Sequence, residues 1–252
     1  MIAFDREQLF LVTGASSGMG RATAQLLVRL GASVVATGRN EERLWAAKAK
    51  SACPEAFHVH ARDLLHTPEG VHGWVRELSK IHGKFAGLAC CAGAMCMDSL
   101  RNYDTRRADE VFTLHLHIPL LLAAAVTDRR NCVGPGTSLV FVAALGGVTP
   151  QAGLLSYGSA KAALVLAARN LSKELGGRKM RVNCISPALV RTPMTEKGYA
   201  ALMGYDVLAA EEANYPLGIG QPEDVAHVAV FLLSAQARWI SGQNIILDGG
   251  RY

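Results

Sequence analysis

The chain has 252 residues, of which half are hydrophobic and 19% charged, a composition that allows a large buried core and excludes a disordered protein. No linker-like stretch or shift in composition divides it, so we expect one domain spanning residues 1–252. The net charge of +5 is modest, and no basic run with interleaved aromatic residues indicates a nucleic-acid surface. We therefore predict no nucleic-acid partner.

The termini and the cysteines give two further expectations. The N-terminus has no basic start followed by an apolar run, and the apolar stretch at 116–126 is too short to span a bilayer. We therefore expect no membrane segment and a cytoplasmic protein. The six cysteines lack paired CxxC spacing and a secreted disulfide pattern, which favours reduced thiols. A metal site from Cys90, Cys91 and Cys96 with a histidine is the alternative, but we predict no metal.

Short apolar runs alternate with longer segments of helical periodicity along the whole chain. Strands are predicted at LFLVT (9–13), SVVAT (33–37), FHVHA (57–61), GLACC (87–91), SLVFVA (138–143), MRVNCIS (180–186) and NIILD (244–248). Helices are predicted from Gly18, from Asn40, from Thr67 as an N-cap, from Thr105 to Asp128, from Ser156 to Leu175 and from QPED (221–224). The pattern predicts an α/β fold of Rossmann type, in which helices cover both faces of a doubly wound parallel sheet.

A glycine-rich turn, TGASSGMG at 13–20, joins the first predicted strand to the first helix. Glycines permit a tight turn and let backbone N–H groups at a helix N-terminus approach a pyrophosphate. A purely structural turn is the alternative, but this placement favours a nucleotide site. We assign to it Gly14, Ser16, Ser17, Gly18, Met19 and Gly20.

The second strand ends in ATGRN, and in a doubly wound fold the residues at this strand end bind the adenosine ribose. An acidic side chain there would bind the 2′-hydroxyl and repel a 2′-phosphate. Gly38 instead leaves space, and Arg39 offers a bidentate phosphate partner. We predict that NADP(H) is favoured over NAD(H), the alternative being that Arg39 is a solvated loop cation.

Tyr157 and Lys161, four residues apart, open a predicted helix. Side chains at i and i+4 share one helix face and reach the same point from adjacent turns. A phenol is mostly protonated at neutral pH, and a nearby cation favours its anion, so the pair suits proton transfer. Thirteen residues upstream, where a third polar group would be expected, the chain has Ala143 and Ala144.

Taken together, TGASSGMG, ARDLL, CCAG, YGSAK, RVNCISPALVRTPM and ISGQNIILDGG resemble, in order and over essentially the whole chain, the short-chain dehydrogenase/reductase family and its 3-oxoacyl-acyl-carrier-protein reductases. The resemblance implies that Tyr157 is the acid/base and that Lys161 holds the ribose and lowers the tyrosine pKa. It implies further cofactor contacts at Asp63, Leu64, Cys91, Ala92, Gly93, Ile185, Pro187, Val190 and Thr192.

Three departures from the pattern of that family involve four positions. Two thiols in CCAG replace two asparagines, which weakens the hydrogen bonding available at the strand end. His115 replaces a helix asparagine that supports a water relay to the lysine. We expect it either to bind such a water or to be a core histidine bonded to the backbone. Ala144 replaces the substrate-orienting serine, and loss of one such donor costs about 10²–10³ in rate.

We predict an NADP(H)-dependent oxidoreductase that moves hydride between the nicotinamide and a small carbonyl compound or secondary alcohol, slowly because of Ala144. A cofactor-binding pseudoenzyme or assembly subunit is the alternative, prompted by the three departures. The segment 187–215 is interpreted as a substrate-side loop or lid. From Arg191 to Tyr215 it mixes charges with Met194, Tyr199, Met203 and Tyr205 and has no decisive recognition signature. The apolar runs IPLLLAAAV and ALVLAA exceed what one sheet face needs and predict a homo-oligomer, a tetramer as in the resembling family.

Overall fold

Seven parallel strands form one sheet in the computed structural model, which describes residues 2–199 and 204–252. The order across the sheet is β3-β2-β1-β4-β5-β6-β7, so the chain reverses its direction of winding at β1. The doubly wound parallel sheet is confirmed. The strands are β1 (Leu9–Thr13), β2 (Ser33–Gly38), β3 (Phe57–Ala61), β4 (Phe85–Cys90), β5 (Ser138–Val142), β6 (Arg181–Pro187) and β7 (Asn244–Leu247).

Helices cover both faces of the sheet and complete a three-layer, single-domain structure. The helices are α1 (Gly18–Arg29), α2 (Glu41–Ala49), α3 (Val71–His82), α4 (Thr105–Thr127), α5 (Leu155–Gly176), α6 (Val207–Glu211) and α7 (Pro222–Leu233). Residues of α1, α2 and α7 form the core on one face, and residues of α3, α4 and α5 form the core on the other.

The central strand shows why the apolar runs in the sequence are continuous. Phe10 and Val12 of β1 face the layer of α1 and α7, whereas Leu9 and Leu11 face the layer of α3 and α4. All four side chains are at most 1% exposed. A parallel strand buried on both faces has no polar side, so its sequence does not alternate.

The start of α3 differs from the sequence-based prediction. Residues Pro68–Gly70 form a short 3₁₀ turn, and α3 begins only at Val71. The Thr67 side chain does not cap the turn, because its hydroxyl donates instead to the backbone oxygen of Asp63 at 2.7 Å. Thr67 therefore occupies the predicted N-cap position, with Pro68 in the first turn, but its side chain makes no capping bond and that turn is 3₁₀ rather than α-helical.

The long helix α4 contains a turn of π-helix over Thr113–His117, which the sequence did not predict. Within the described part of the chain, α4 is long and apolar enough to cross a membrane by length and composition alone. Half of its most apolar window is buried inside the protein, and core helices pass the same test. The sequence estimate counted only the uninterrupted apolar run at 116–126 and so missed this length.

The apolar faces that suggested an oligomer are largely covered within the protomer. Ile118, Leu122 and Val126 of α4 pack into the core against the sheet, as do Leu164 and Ala168 of α5. The expected surplus of apolar surface on these two helices is therefore mostly absent, because the sheet needs more of it than the sequence suggested.

Three histidines meet at the outer edge of the sheet. His58 and His60 lie on the same face of β3, and His82 is the last residue of α3. The Nε2 atoms of His60 and His82 are 2.7 Å apart, and the His58 ring stacks on His82 with centroids 4.3 Å apart. Burial is the main reason that the pKa of His82 falls to about 4, and repulsion from the other two imidazoles adds to it. The pKa values of His58 and His60 are lowered as well, again mainly by burial.

We predict that this cluster makes the protein less stable as the pH falls from about 6.5 to about 4. A histidine with a depressed pKa in the folded state binds protons more readily when unfolded, so its contribution is present above pH 6.5 and lost toward pH 4. The unfolding temperature of His82→Gln should depend less on pH in this window than that of the wild type. His72→Gln, at an exposed position of the same helix, should follow the wild type. Thermal scans across the pH series decide it, and equal pH slopes in the two variants would contradict the prediction.

Candidate active site

The glycine-rich turn lies at the carboxyl end of β1, next to β4. Gly14 has a φ of +67°, and a Cβ there would lie 2.8 Å from the backbone oxygen of Cys91. A Cβ at Gly20 would collide with the backbone of Gly14. The turn is therefore closed to side chains, and it brings the start of α1 to the point where the strand order reverses. Open α/β sheets bind ligands at this point, and the N–H groups of the helix N-terminus suit a pyrophosphate.

Thr13 fastens this turn to the loop that follows β4. Its Oγ1 accepts hydrogen bonds from the N–H groups of Cys91, at 3.1 Å, and Ala92, at 3.0 Å. Burial raises the pKa of the Cys91 thiol to about 12 and that of Cys90 well above its ordinary value, so both are neutral thiols. Gly93 faces the ring of His115, since a Cβ at Gly93 would lie 3.1 Å from His115 Cε1. The four residues of CCAG thus connect the nucleotide turn with α4.

The residues assigned to the adenosine follow the neighbouring strands β2 and β3. Arg39 is exposed directly after β2, and Gly38 lies so close to Ser16 that a Cβ at Gly38 would be 3.2 Å from its Oγ. The Asp63 carboxylate accepts the Leu65 N–H at 3.0 Å, which orders the loop after β3. The side chain of Leu64 is 4% exposed and packs into the core on the face of α3 and α4.

The segment after β6 reaches the glycine turn from the other side. Gly18 packs against Thr192, whose Cγ2 would lie 3.1 Å from a Cβ at Gly18. Pro187 ends β6, and Val190 and Thr192 are 4% and 6% exposed. The side chain of Ile185 is fully buried in the core and does not line the site, because it lies within β6.

The substrate-side segment is only partly described. Within 187–215, residues Met194–Tyr199 form a short helical stretch and α6 follows at Val207. Met194 and Tyr205 are exposed, whereas Met203 lies outside the described residues.

Tyr157 and Lys161 occupy adjacent turns at the start of α5, as their spacing predicted. Lys161 is 4% exposed, and its Nζ donates to the backbone oxygen of Val142, the last residue of β5, at 2.7 Å. The same Nζ lies 5.8 Å from the centroid of the Tyr157 ring. Burial lowers the pKa of Lys161 to about 8, an effect that the neighbouring cysteine Cys184 partly opposes. The two side chains therefore combine a phenol with a buried ammonium group at the carboxyl edge of the sheet.

Ala144 is the second residue after the end of β5 and is half-buried. The next three residues form a 3₁₀ turn that packs on α5, where a Cβ at Gly147 would lie 2.8 Å from the backbone of Lys161. The loop at Ala144 is thus held against the turns that carry Tyr157 and Lys161. A hydroxyl group at this position would lie on the active-site side of α5, but the alanine provides none.

Neither neighbouring serine supplies the missing hydroxyl. The Ser156 hydroxyl donates to the carboxylate of Asp98, and the Ser159 hydroxyl donates to the backbone oxygen of Leu155 at 2.6 Å. Both hydroxyl groups are therefore already used in bonds within the protein.

His115 is buried in the π-helical turn of α4 and packs edge-on against Tyr157, with ring centroids 5.0 Å apart. Burial, with repulsion from Lys161, lowers the pKa of His115 to about 3, so the ring is neutral. Its Nε2 lies 3.0 Å from the backbone oxygen of Ala94, whereas its buried Nδ1 has no hydrogen-bond partner in the described residues. The ring is thus bonded to the backbone through one nitrogen and has the other available for a water. His117 is exposed and lies apart from it.

Sequence reasoning missed three contributors to this arrangement: the hydroxyl of Thr13, the backbone oxygen of Val142 and the carboxylate of Asp98. Thr13 is a polar residue at the end of an apolar strand, and Asp98 is an acidic residue that follows the apolar stretch AMCM. Both patterns could have marked these side chains as structurally important. The role of Val142 belongs to its backbone and leaves no mark in the sequence.

The described residues contain no group of three or more histidine, cysteine or acidic side chains that could hold a metal ion. All six cysteines are free thiols, and Cys90 and Cys96 are buried. The alternative metal site at Cys90, Cys91 and Cys96 therefore has no geometric basis in the described chain.

Comparisons with known proteins agree with this geometry. A family model described as Enoyl-(Acyl carrier protein) reductase matches residues 14–251. The 3-oxoacyl-acyl-carrier-protein reductase FabG of Rickettsia conorii is 30% identical, over 95% of each chain. The NAD-dependent glycerol dehydrogenase of Listeria innocua is also 30% identical, over 97% of this chain and 93% of the relative.

A solved structure shares the whole architecture. The short-chain dehydrogenase from Burkholderia cenocepacia, in complex with NADP, superposes with a TM-score of 0.85 at 27% identity, covering 98% of this chain and 99% of the other. The sheet order, the glycine turn and the tyrosine–lysine pair occur together in a chain that matches the family model almost from end to end. This protein belongs to the short-chain dehydrogenase/reductase family of oxidoreductases.

Proposed function

We propose that the protein is an NADP(H)-dependent oxidoreductase that interconverts a small carbonyl compound and its secondary alcohol. The observation that carries the proposal is the buried Lys161 ammonium group beside Tyr157, at the edge of the sheet where the glycine turn lies. A bound nicotinamide supplies the hydride chemistry. The chain itself provides proton transfer, orientation and exclusion of water.

Tyr157 is the acid/base of the proposed reaction. In the direction of reduction its phenol protonates the oxygen of the carbonyl substrate, and in the direction of oxidation its anion accepts the proton of the alcohol. Lys161 lowers the cost of forming that anion, because its Nζ is within 6 Å of the ring in a poorly solvated place. The bond to Val142 fixes the ammonium group and leaves two of its three donors for the ribose.

The residues present fit NADP(H). The closed turn at Gly14 and the helix start behind it suit the pyrophosphate, while Gly38 and the exposed Arg39 leave room and charge for a 2′-phosphate. Relatives use either cofactor, since one is named as NAD-dependent and a similar structure holds NADP. The preference for NADP(H) therefore rests on Arg39.

The absence of a hydroxyl at Ala144 makes the proposed reaction slow. A donor at that place would orient the carbonyl and stabilise the negative charge that develops on its oxygen. Removal of one such donor typically costs about 10²–10³ in rate, which weakens hydride transfer without preventing it.

A cofactor-binding pseudoenzyme is the second candidate, and the alanine at 144 together with the neutral thiol at Cys91 favours it. Single-turnover oxidation of NADPH against a panel of carbonyl compounds separates the two. Tight NADPH binding without turnover on any compound would select the pseudoenzyme.

Part of the surface supports self-association, and it includes one residue of the run ALVLAA together with a pocket that the sequence-based argument did not consider. Leu100, Tyr103 and Leu155 are 85%, 47% and 41% exposed and line an open pocket of about 310 Å³ beside α5. Leu166, further along α5, is 58% exposed. Contiguous exposed apolar groups mark association sites, so we retain a tetramer as a proposal.

Replacing Arg39 tests the choice of cofactor. We expect the wild type to bind NADPH more tightly than NADH, and Arg39→Asp to reverse this order by removing a phosphate partner and adding repulsion. Arg29→Asp makes the same charge change on an exposed position at the far end of α1 and should leave the order unchanged. Fluorescence titrations of the two cofactors measure the effect. An unaltered preference in Arg39→Asp would refute the assignment.

Replacing Ala144 and Tyr157 tests the chemistry. Ala144→Ser should raise turnover by roughly 10–10³-fold, because it restores a donor near the substrate oxygen.

Tyr157→Phe should lower the rate of either the wild type or Ala144→Ser by about 10²–10⁴-fold, the usual contribution of general acid catalysis. Tyr252→Phe removes a phenol that is 77% exposed and should have no effect. Steady-state NADPH oxidation gives both rates, and an unchanged rate in Tyr157→Phe would mean that the proton comes from another group.

Sedimentation tests the oligomer. We expect a tetramer in dilute solution rather than a single 26.9 kDa species, and a smaller assembly for Leu166→Glu, which places a charge in the apolar surface of α5. Ile81→Glu, also at an exposed apolar residue but on α3, should sediment like the wild type. A wild-type monomer would refute the tetramer.

A further inference from the structure

Asp98 is a buried carboxylate that the proposed chemistry leaves without a role. It lies between β4 and α4 and is 6% exposed. Its Oδ1 accepts the Ser156 N–H at 2.9 Å, and its Oδ2 accepts the Ser156 hydroxyl. Its backbone adds two bonds to the same segment, donating to Gly153 at 2.9 Å and accepting from Leu155 at 3.2 Å. All four bonds hold the stretch of chain that leads into Tyr157.

These bonds replace the cap that α5 lacks. Leu154 occupies the N-cap position and has no side-chain oxygen with which to bind the first N–H groups. Such groups are unsatisfied unless a side chain accepts from them, and a negative charge at the helix start also complements the dipole. Asp98 provides both from a distance of 58 residues along the chain.

Tyr157 lies in the first turn of α5, so the contact that caps this turn also restrains the position of the catalytic side chain. Lys161 is fixed one turn further on by its bond to Val142, and that bond does not hold the residues before Tyr157. A helix start without a cap frays. We propose that Asp98 is a positioning residue that holds the first turn of α5 and thereby places Tyr157 against the substrate, an inference that rests on the proposed function of Tyr157.

Two variants test this proposal by kinetics in the NADPH-bound enzyme. Asp98→Ala removes both carboxylate bonds and should lower kcat by roughly 10–100-fold, because a displacement of about 1 Å at a catalytic group can cost about 10²-fold. Ser156→Ala removes only the hydroxyl bond and should lower kcat by a smaller factor. Binding of NADPH should change by no more than about twofold, since neither residue touches the glycine turn, and a loss in kcat without a loss in cofactor affinity is the sign of misplaced chemistry. The double variant should be no slower than the slower single variant, because both act through one contact.

Ser159→Ala is the matched control. It removes a hydroxyl from the same side of the same helix, one turn along, where the bond is only to the backbone of Leu155. Its kcat should equal that of the wild type. A loss as large as in Ser156→Ala would show a general effect of serine replacement on α5 and would overturn the proposal.

A spectroscopic measurement separates this proposal from the proposed function. In protein labelled with ¹³Cζ-tyrosine and saturated with NADPH, the Tyr157 signal, assigned by its loss in Tyr157→Phe, should shift or broaden in Asp98→Ala. The signal of Tyr215, a buried tyrosine bonded to Arg251, should stay in place. Absence of turnover in the wild type would refute the proposed function, yet the Tyr157 signal would still decide the role of Asp98.

The proposal is overturned if folded Asp98→Ala has the kcat and the Tyr157 signal of the wild type. If Asp98→Ala does not fold, Ser156→Ala decides by the same two readouts, because it removes one of the two side-chain bonds to Asp98 and keeps the other.

Discussion

The bond from the Lys161 ammonium group to the carbonyl of Val142 is the constraint around which the candidate site is arranged. A buried cation is costly unless its donors are used, and this bond uses one at the end of β5. It requires α5 to start very close to the strand edge. Glycines make that approach possible, since side chains at Gly147 and Gly158 would collide with the backbone of the facing segment. The position of Tyr157, four residues before the lysine, follows from the same approach.

The groups around this cation are neutral, which preserves its influence on the phenol. Burial raises the pKa of Cys184 to about 12 and lowers that of His115 to about 3, so neither thiol nor imidazole carries a charge near neutral pH. The thiols and the imidazole near Lys161 therefore add no charge of their own to the site. With a pKa of about 8, Lys161 itself is mostly protonated at neutral pH.

The sequence predicted the parts of this structure that depend on local pattern. Strands such as β1 are buried on both faces and show unbroken apolar runs, and the glycine turn is a compact local motif. It did not predict contacts that join distant segments through the backbone or a single side chain. Thr67 is a residue type that commonly caps helices, yet its hydroxyl donates to the backbone oxygen of Asp63. The side chain that caps α5 is instead that of Asp98, which is 58 residues away in the sequence. The π-helical turn that brings His115 against Tyr157 likewise depends on tertiary packing.

The energetics of Lys161 also bear on the choice between a slow enzyme and an inert binding protein. Replacing buried charges by well-packed apolar groups is often neutral or stabilising, so a chain that served only as a scaffold would lose little by having an apolar residue at 161. The missing hydroxyl at Ala144 removes stabilisation from one substrate oxygen. It leaves the bonds that fix the lysine and the first turn of α5 unaffected, because they run to Val142 and Asp98. In the reaction proposed above, the bonds that position the proton donor therefore do not depend on the group that would orient the carbonyl, and this independence favours the proposal of a slow enzyme over that of a binding protein.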